Sequence, residues 1–162
     1  AAFGPARYGR LYAEGRWHLP LAKGWLVLRG SAGLATRDLP PHRVFVLGGR
    51  GTLVGEGFRS LAGRRAAWLS ADFRLPVRVP EIPLGSLAGT GRTATVVPFV
   101  AAGWAGGRVQ GAVGAPSDGV RPVIGLGVEW PLNLLRLDVG VSPRSGRIGV
   151  AVDVSRDFWD IL

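Results

Sequence analysis

The stretch Ile148-Gly-Val-Ala-Val-Asp-Val-Ser155 alternates between two kinds of side chain. Its even-numbered positions are all β-branched and apolar, whereas its odd-numbered positions are Gly149, Ala151, Asp153 and Ser155. Successive side chains of a β-strand point to opposite faces of the sheet. The stretch therefore predicts a strand with one hydrocarbon face and one face of small or charged residues.

The segment before it repeats the pattern and completes a predicted hairpin. Four apolar residues alternate there with four polar or small ones: Leu135, Leu137, Val139 and Val141 against Arg136, Asp138, Gly140 and Ser142. Between the two stretches lies Pro143-Arg-Ser-Gly146, which has the composition of a turn.

The same period of two recurs along the chain, whereas the helical period of 3.6 is hard to find. Five further alternating segments occupy residues 11–19, 26–31, 69–75, 95–104 and 121–130. We therefore predict one all-β domain over residues 1–162, with seven antiparallel strands. The short piece Arg43 to Leu47 is a candidate for an eighth strand.

Composition narrows the classes of function. The chain has 162 residues and a net charge of +9, with no Cys and two His, so a metal centre or a disulfide scaffold is not expected. A phosphate-binding loop and a nucleophile elbow are both missing from the sequence. We therefore expect no enzyme activity, no catalytic residues and no cofactor. The positive charges are spread along alternate positions rather than clustered, so we expect no nucleic-acid partner.

The second face of the strands is unusual for a soluble surface, because it combines Gly and Ala with charges of both signs and nearly lacks Lys. Such a face suits a confined interior in which charges are paired. The candidate lumen charges are Glu14, Arg16, Arg29, Asp72, Arg74, Arg121, Glu129, Arg136, Asp138 and Asp153. The pattern favours a transmembrane barrel whose apolar face meets lipid, and a soluble β-fold remains the alternative.

Two other features fit the membrane interpretation. Four tryptophans lie near predicted strand ends, as in the aromatic girdle of a membrane barrel: Trp17, Trp104, Trp130 and Trp159. Short connections between predicted strands lie at one end of the sheet, and longer ones lie at the other end. Residues 77–92 are the exception, because this long connection lies at the end with the short connections. This asymmetry is typical of outer-membrane barrels.

Three motifs together carry a resemblance to a known family. They are the loop segment from Leu47 to Gly63, the strand Ala71-Asp-Phe-Arg-Leu-Pro76, and the hairpin from Gly125 to Asp138. In order and spacing they are similar to the C-terminal barrel of the BamA/TamA-type outer-membrane assembly and translocation superfamily, the bacterial surface antigen family. The resemblance implies a location in the bacterial outer membrane and a long loop, residues 36–65, that folds into the barrel.

The resemblance also assigns residues. The loop motif is matched by Gly48, Gly49, Leu53, Val54, Gly55, Phe58 and Arg59. The last-strand signal for insertion is matched by Arg147, Gly149, Val152, Val154 and Phe158. The chain departs from the family where Val54 and Ala101 replace the two partners of an ion pair that holds the loop. We therefore expect Arg59 to reach Asp72 or Glu129 instead.

The resemblance implies that the chain corresponds to about half of the family's barrel, without a periplasmic module. The resemblance therefore implies a membrane anchor or scaffold subunit, or a reduced insertion or translocation pore. Outer-membrane lipid is the expected partner. Since open edges are not tolerated in lipid, closure requires an eighth strand, a second copy, or other barrel subunits that complete the wall. The alternative function is a soluble basic β-barrel that binds anionic polymers.

Overall fold

The computed structural model describes residues 8–83, 89–131 and 134–154. Two of the predicted residues, Phe158 and Trp159, lie outside these ranges. The described part contains nine β-strands: β1 (Arg10–Leu21), β2 (Gly24–Ala35), β3 (Phe45–Leu47), β4 (Leu61–Gly63), β5 (Arg65–Arg78), β6 (Thr93–Gly106), β7 (Arg121–Glu129), β8 (Leu135–Ser142) and β9 (Arg147–Val154). A single turn of 3-10 helix, Pro41–Arg43, precedes β3. None of the helical structure in these ranges is long and apolar enough to cross a membrane.

Seven strands form one antiparallel sheet in the order β1-β2-β5-β6-β7-β8-β9. These are the seven strands that the alternation predicted, so the all-β antiparallel class is confirmed. The candidate eighth strand is wrong, because its residues form β3, which pairs with β4 in a separate two-stranded sheet. Both short strands lie within the long connection between β2 and β5.

Within the described residues the large sheet is not closed into a barrel. Strand β1 pairs with β2, strand β9 pairs with β8, and these two strands are the opposite edges of the sheet. The expected ring of strands is therefore an open sheet in the described part of the chain.

The two faces of the sheet are buried in the opposite sense to those of a soluble sheet. We call the face that carries Leu69, Ile124 and Leu126 the apolar face, and these three side chains are 57%, 58% and 50% exposed. We call the face that carries Asp72 and Glu129 the polar face, and these two are 2% and 1% exposed. A soluble sheet buries its hydrocarbon face and exposes its charges, so this burial pattern is inverted.

Register makes the apolar face continuous across all seven strands. Paired positions on this face run from Trp17 through six further residues: Leu28, Ala71, Val100, Ile124, Val141 and Ile148. A slip of one residue in any pair would move that strand's side chains to the other face. The match along the whole sheet therefore indicates one uninterrupted hydrocarbon surface.

The polar face is covered by the connection between β2 and β5, residues 36–64, which we call the long loop. Its apolar residues Leu39, Phe45, Leu47 and Leu53 are buried in the same cluster as Trp68 and other residues of the polar face. The hydrophobic core thus lies between the loop and the sheet. The strands position the site by presenting their polar face to this loop.

Candidate functional site

The long loop is anchored to β5 and β6 near its middle. The indole Nε1 of Trp68 donates a hydrogen bond to the carbonyl oxygen of Thr52, at 2.9 Å. Leu53 is fully buried, and a Cβ added to Gly103 on β6 would lie 3.0 Å from the Leu53 Cδ1 atom. The glycine on β6 therefore makes the space into which this leucine packs.

Two glycines allow the loop backbone to lie directly on the C-terminal hairpin. A Cβ on Gly140 of β8 would collide with the carbonyl oxygen of Val54, and a Cβ on Gly149 of β9 would collide with the backbone of Gly55. These glycines are paired with each other across the hairpin. Their small size lets the loop approach to backbone contact, which any larger residue would prevent.

A buried carboxylate fixes the next part of the loop. Glu56 Oε1 accepts a hydrogen bond of 2.6 Å from the hydroxyl of Ser142, the last residue of β8, and one of 3.4 Å from Ser145. Glu56 and Ser142 are both buried. Hydrogen bonds to a charged acceptor are stronger than neutral ones, so this carboxylate holds the loop on β8.

The expected role of Arg59 is wrong. Arg59 is exposed, whereas Asp72 and Glu129 are ion-paired with arginines of the sheet, Arg29, Arg74 and Arg136. Arg59 also has a positive φ of 52°, which places it in a turn. The loop is therefore held by Glu56, Trp68, Arg50 and backbone contacts, and Arg59 has no part in holding it.

The rest of the loop motif divides into turn residues and buried residues. Gly48, Gly49 and Gly55 all have positive φ angles, which only glycine adopts without strain. Leu53 and Val54 are buried, whereas Phe58 is 77% exposed. The motif thus forms a tight turn and a buried loop tip. Its exposed aromatic residue, Phe58, does not contribute to the buried contacts that hold the loop.

Beneath the loop, Asp72 joins two arginines from different strands. Its Oδ2 atom accepts hydrogen bonds from Arg29 of β2 at 2.7 Å and from Arg136 of β8 at 3.0 Å. Strands β6 and β7 lie between β5 and β8, and three strand spacings in a flat sheet measure about 14 Å. The ion pair therefore requires a strongly curved sheet with the polar face on its concave side.

Arg136 connects this acid to two others. Its Nε donates to both oxygens of Asp138, at 2.8 and 2.9 Å, and its Nη1 lies 3.4 Å from Glu129 Oε1. Glu129 also accepts a hydrogen bond from Arg74. Three arginines and three acids thus form one network whose formal charges cancel. Such pairing is what burial of charge demands.

The network lines a cavity of about 60 Å³ between the loop and the sheet. Two of its lining atoms, Ser70 Oγ and Asp72 Oδ1, are buried without a hydrogen-bond partner among the described residues. A cavity this polar and this large has room for a few ordered water molecules. It is too small for an organic substrate, since ligand pockets are several times larger.

Of the other candidate lumen charges, only some line this cavity. Arg16 on β1 and Asp153 on β9 line the same cavity, and Asp153 pairs with Arg50 of the loop at 3.4 Å. Glu14 lies on the exposed edge strand β1 and accepts a hydrogen bond from Tyr12 at 2.8 Å. Arg121 is the first residue of β7, at the opposite end of that strand from Glu129, and does not line the cavity.

The remaining predicted residues lie along the strands. Trp17 and Trp104 are on the apolar face near opposite ends of the sheet, and Trp130 directly follows β7. In the insertion signal, Val152 and Val154 are exposed on the apolar face of β9, whereas Gly149 faces the loop. Arg147 is the first residue of β9.

Sequence reasoning missed three residues that hold the loop: Arg50, Trp68 and Glu56. For Trp68 a signal existed, because an indole on the polar parity of a strand needs an apolar cover and a hydrogen-bond acceptor. For Glu56 and Arg50, both loop residues, spacing along the chain carries no information about their partners.

The described residues contain no group of His, Cys, Asp or Glu that is suited to hold a metal ion. The central arginines and acids hold their charges in fixed pairs. A scan of the chain against protein-family models and a search of the curated proteins both give no match. The resemblance to the BamA/TamA-type barrel therefore stays a prediction.

Proposed function

We propose that this chain is a segment of the wall of a bacterial outer-membrane β-barrel and acts as a membrane anchor or scaffold. The observation that carries the proposal is the inverted burial of the sheet. Its hydrocarbon face is exposed on seven strands, and its charged face is buried. In water this arrangement is costly, because apolar surface stays solvated at about 25 cal/mol per Å². In contact with lipid, the same apolar face lies in an apolar environment and this cost disappears.

The buried charges support the proposal from the other side. A barrel wall keeps polar side chains on its inner face, and here three arginines and three acids on that face neutralise one another. The motif resemblance adds the expected location in the outer membrane.

The end of the sheet near the long loop supports lipid as the partner. Arg65 and Trp104 lie on the apolar face near the ends of neighbouring strands, where Arg65 pairs with Gly106 and Trp104 pairs with Ala67. Tryptophan is enriched where membranes meet water, and arginine binds lipid phosphate there. We therefore place the headgroup layer at this end of the apolar face.

A scaffold is favoured over an open pore by the cover on the polar face. The long loop fills the concave side and leaves a cavity of only about 60 Å³. A passage for polypeptide needs the loop to leave its seat on β8 and β9. Insertion or translocation is therefore the second candidate function, and it depends on loop release.

Flotation with vesicles tests the proposal. The chain, refolded from urea with dilauroylphosphatidylcholine vesicles, is expected to float with the lipid and to resist extraction by alkaline carbonate. Circular dichroism of the floated material should show a β-sheet spectrum. If the protein instead stays monodisperse in water without detergent and remains behind when the vesicles float, the lipid-facing assignment is wrong. Salt-dependent binding of that soluble protein to heparin would then favour the alternative, a soluble basic β-barrel for anionic polymers.

A further inference from the structure

The outward-facing backbone groups of the two edge strands, β1 and β9, need hydrogen-bonding partners. Among the described residues, β1 and β9 each have a neighbour on one side only. A free edge presents unpaired N–H and C=O groups, and in hydrocarbon each such group costs several kcal/mol. If the proposed function holds, both edges must therefore be covered.

Residues of both edge strands also line the same cavity. Arg16 from β1 and Asp153 from β9 line the same cavity as the central charge network. The ion pair between Asp72 and Arg136 already requires strong curvature in the middle of the sheet. The sheet is therefore curled, and its two edges turn toward the same interior.

Strand direction decides what can fill the gap. Every neighbouring pair in the sheet is antiparallel, and the sheet has seven strands. The first and last strands of such a sheet run in the same direction. Strand β1 and strand β9 are therefore parallel to each other, which is the consequence of an odd strand number.

Within the described residues, this parity disfavours closure by a direct seam between β1 and β9, in one copy or between two copies. A direct seam between β1 and β9 would be parallel, whether it joined the edges of one copy or of two copies in the same orientation. Seams of β1 with β1 and of β9 with β9 would be antiparallel, but they would turn the second copy upside down. Its long loop would then lie on the other side of the membrane.

We propose that the edges β1 and β9 are a docking interface for a polypeptide that supplies an odd number of amphipathic β-strands. With an odd number, every seam of the ring is antiparallel, as in bacterial single-chain barrels, which have even totals. The partner strands place apolar side chains beside Leu11 and Leu19 on one edge and beside Val150 and Val152 on the other. They place small or polar side chains toward the cavity. This inference rests on the proposed function.

A peptide experiment tests both the interface and the parity. The full chain in dodecylphosphocholine micelles is mixed with a single-strand peptide that copies β8, Leu135–Ser142, or with a two-strand peptide that copies β8 and β9, Leu135–Val154. A peptide of the same composition as the first, with its alternation destroyed, is the control. Native mass spectrometry gives the stoichiometry, and hydrogen exchange reports the outward-facing amides of β1 and β9.

The single-strand peptide is expected to bind one to one and to slow exchange on both edges by about tenfold or more, since paired amides open rarely. The two-strand peptide should protect one edge, because its second strand meets the other edge in parallel. The control peptide should protect neither edge.

Three results would overturn the inference. One is protection of both edges without peptide, at the mass of one or two chains, because it would show direct closure. Another is protection of both edges by the two-strand peptide. The third is a chain that inserts into lipid but whose edges keep exchanging with the single-strand peptide present. This last result leaves the proposed function intact, whereas failure to insert removes the proposed function itself.

Discussion

Arg136 on β8 lies 3.0 Å from Asp72 on β5, although two strands of the sheet separate them. The same guanidinium lies over the ring of Phe99, on the strand next to β5, at 5.9 Å from the ring centroid. Arg136 therefore spans the concave face and joins acids from three different strands. No other contact described above ties so many parts of the wall together.

Replacement of Arg136 by Gln should destabilise the fold strongly. Asp72 keeps Arg29 and Glu129 keeps Arg74, but Asp138 loses the arginine that binds both of its oxygens. Removal of one partner from a buried ion pair typically costs about 3–5 kcal/mol. Urea unfolding in lipid vesicles, followed by tryptophan fluorescence, measures the change.

The matched control is Arg92→Gln, which removes the exposed pair with Glu81. Exposed pairs contribute about 0–1 kcal/mol, so this variant should unfold close to the parent. Equal losses for the two variants would contradict the central role of Arg136.

Loss of the Glu56 carboxylate should release the loop while the sheet stays folded. Glu56→Ala leaves the buried Ser142 hydroxyl without its acceptor, which costs about 1–3 kcal/mol. Limited proteolysis should then cut residues 48–60 faster, and the circular dichroism spectrum should be unchanged. In a double-mutant cycle, Ser142→Ala should add little to Glu56→Ala, because both substitutions remove the same interaction. Full additivity of the two losses would show that the hydrogen bond does not hold the loop.

A methyl group on either hairpin glycine should displace the loop. Gly140→Ala and Gly149→Ala each place a Cβ against the loop backbone, and overpacking of this kind costs about 1–3 kcal/mol. Gly30→Ala is the control, since its Cβ would meet a flexible leucine side chain at 3.3 Å. Thermal unfolding in detergent measures all three. A control that loses as much stability as the hairpin variants would mean that strand propensity, not loop contact, sets the effect.

A charge near the middle of the apolar face should block insertion. Leu126 lies near the middle of β7, and arginine at the bilayer midplane costs about 2–4 kcal/mol. Leu126→Arg should therefore float poorly with phosphatidylcholine vesicles. Ile148→Arg, at the second residue of β9, should float nearly as well as the parent, because the cost near the interface is about 0–1 kcal/mol. Higher solubility and unchanged folding of Leu126→Arg in water would favour the soluble alternative.

The strands were predictable because the period of two is a local property of the chain. In β9, Val150, Val152 and Val154 alternate with Ala151 and Asp153, and this order alone fixes both the strand and its faces. The same alternation placed the charges of the network on one face.

The pairing inside the site was not predictable in the same way. Glu56 meets Ser142 across 86 residues, and Arg50 reaches Val152 across 102 residues. Such contacts depend on the path of the loop, which no local pattern encodes. The predicted ion pair between Arg59 and an acid of the sheet was wrong for this reason. Which charged loop residue reaches the sheet depends on which side chain the turn directs inward.

The contacts of the long loop with β8 and β9 also impose an order of events on folding. Gly140, Ser142 and Gly149 belong to the last two strands, whereas the loop they hold is made far earlier in the chain. The tip residues Val54, Gly55 and Glu56 therefore cannot dock until the C-terminal hairpin has formed, and long-range closure of this kind is slow. Docking of Glu56 onto Ser142 thus follows formation of the final hairpin and occurs only in molecules in which that hairpin is in register.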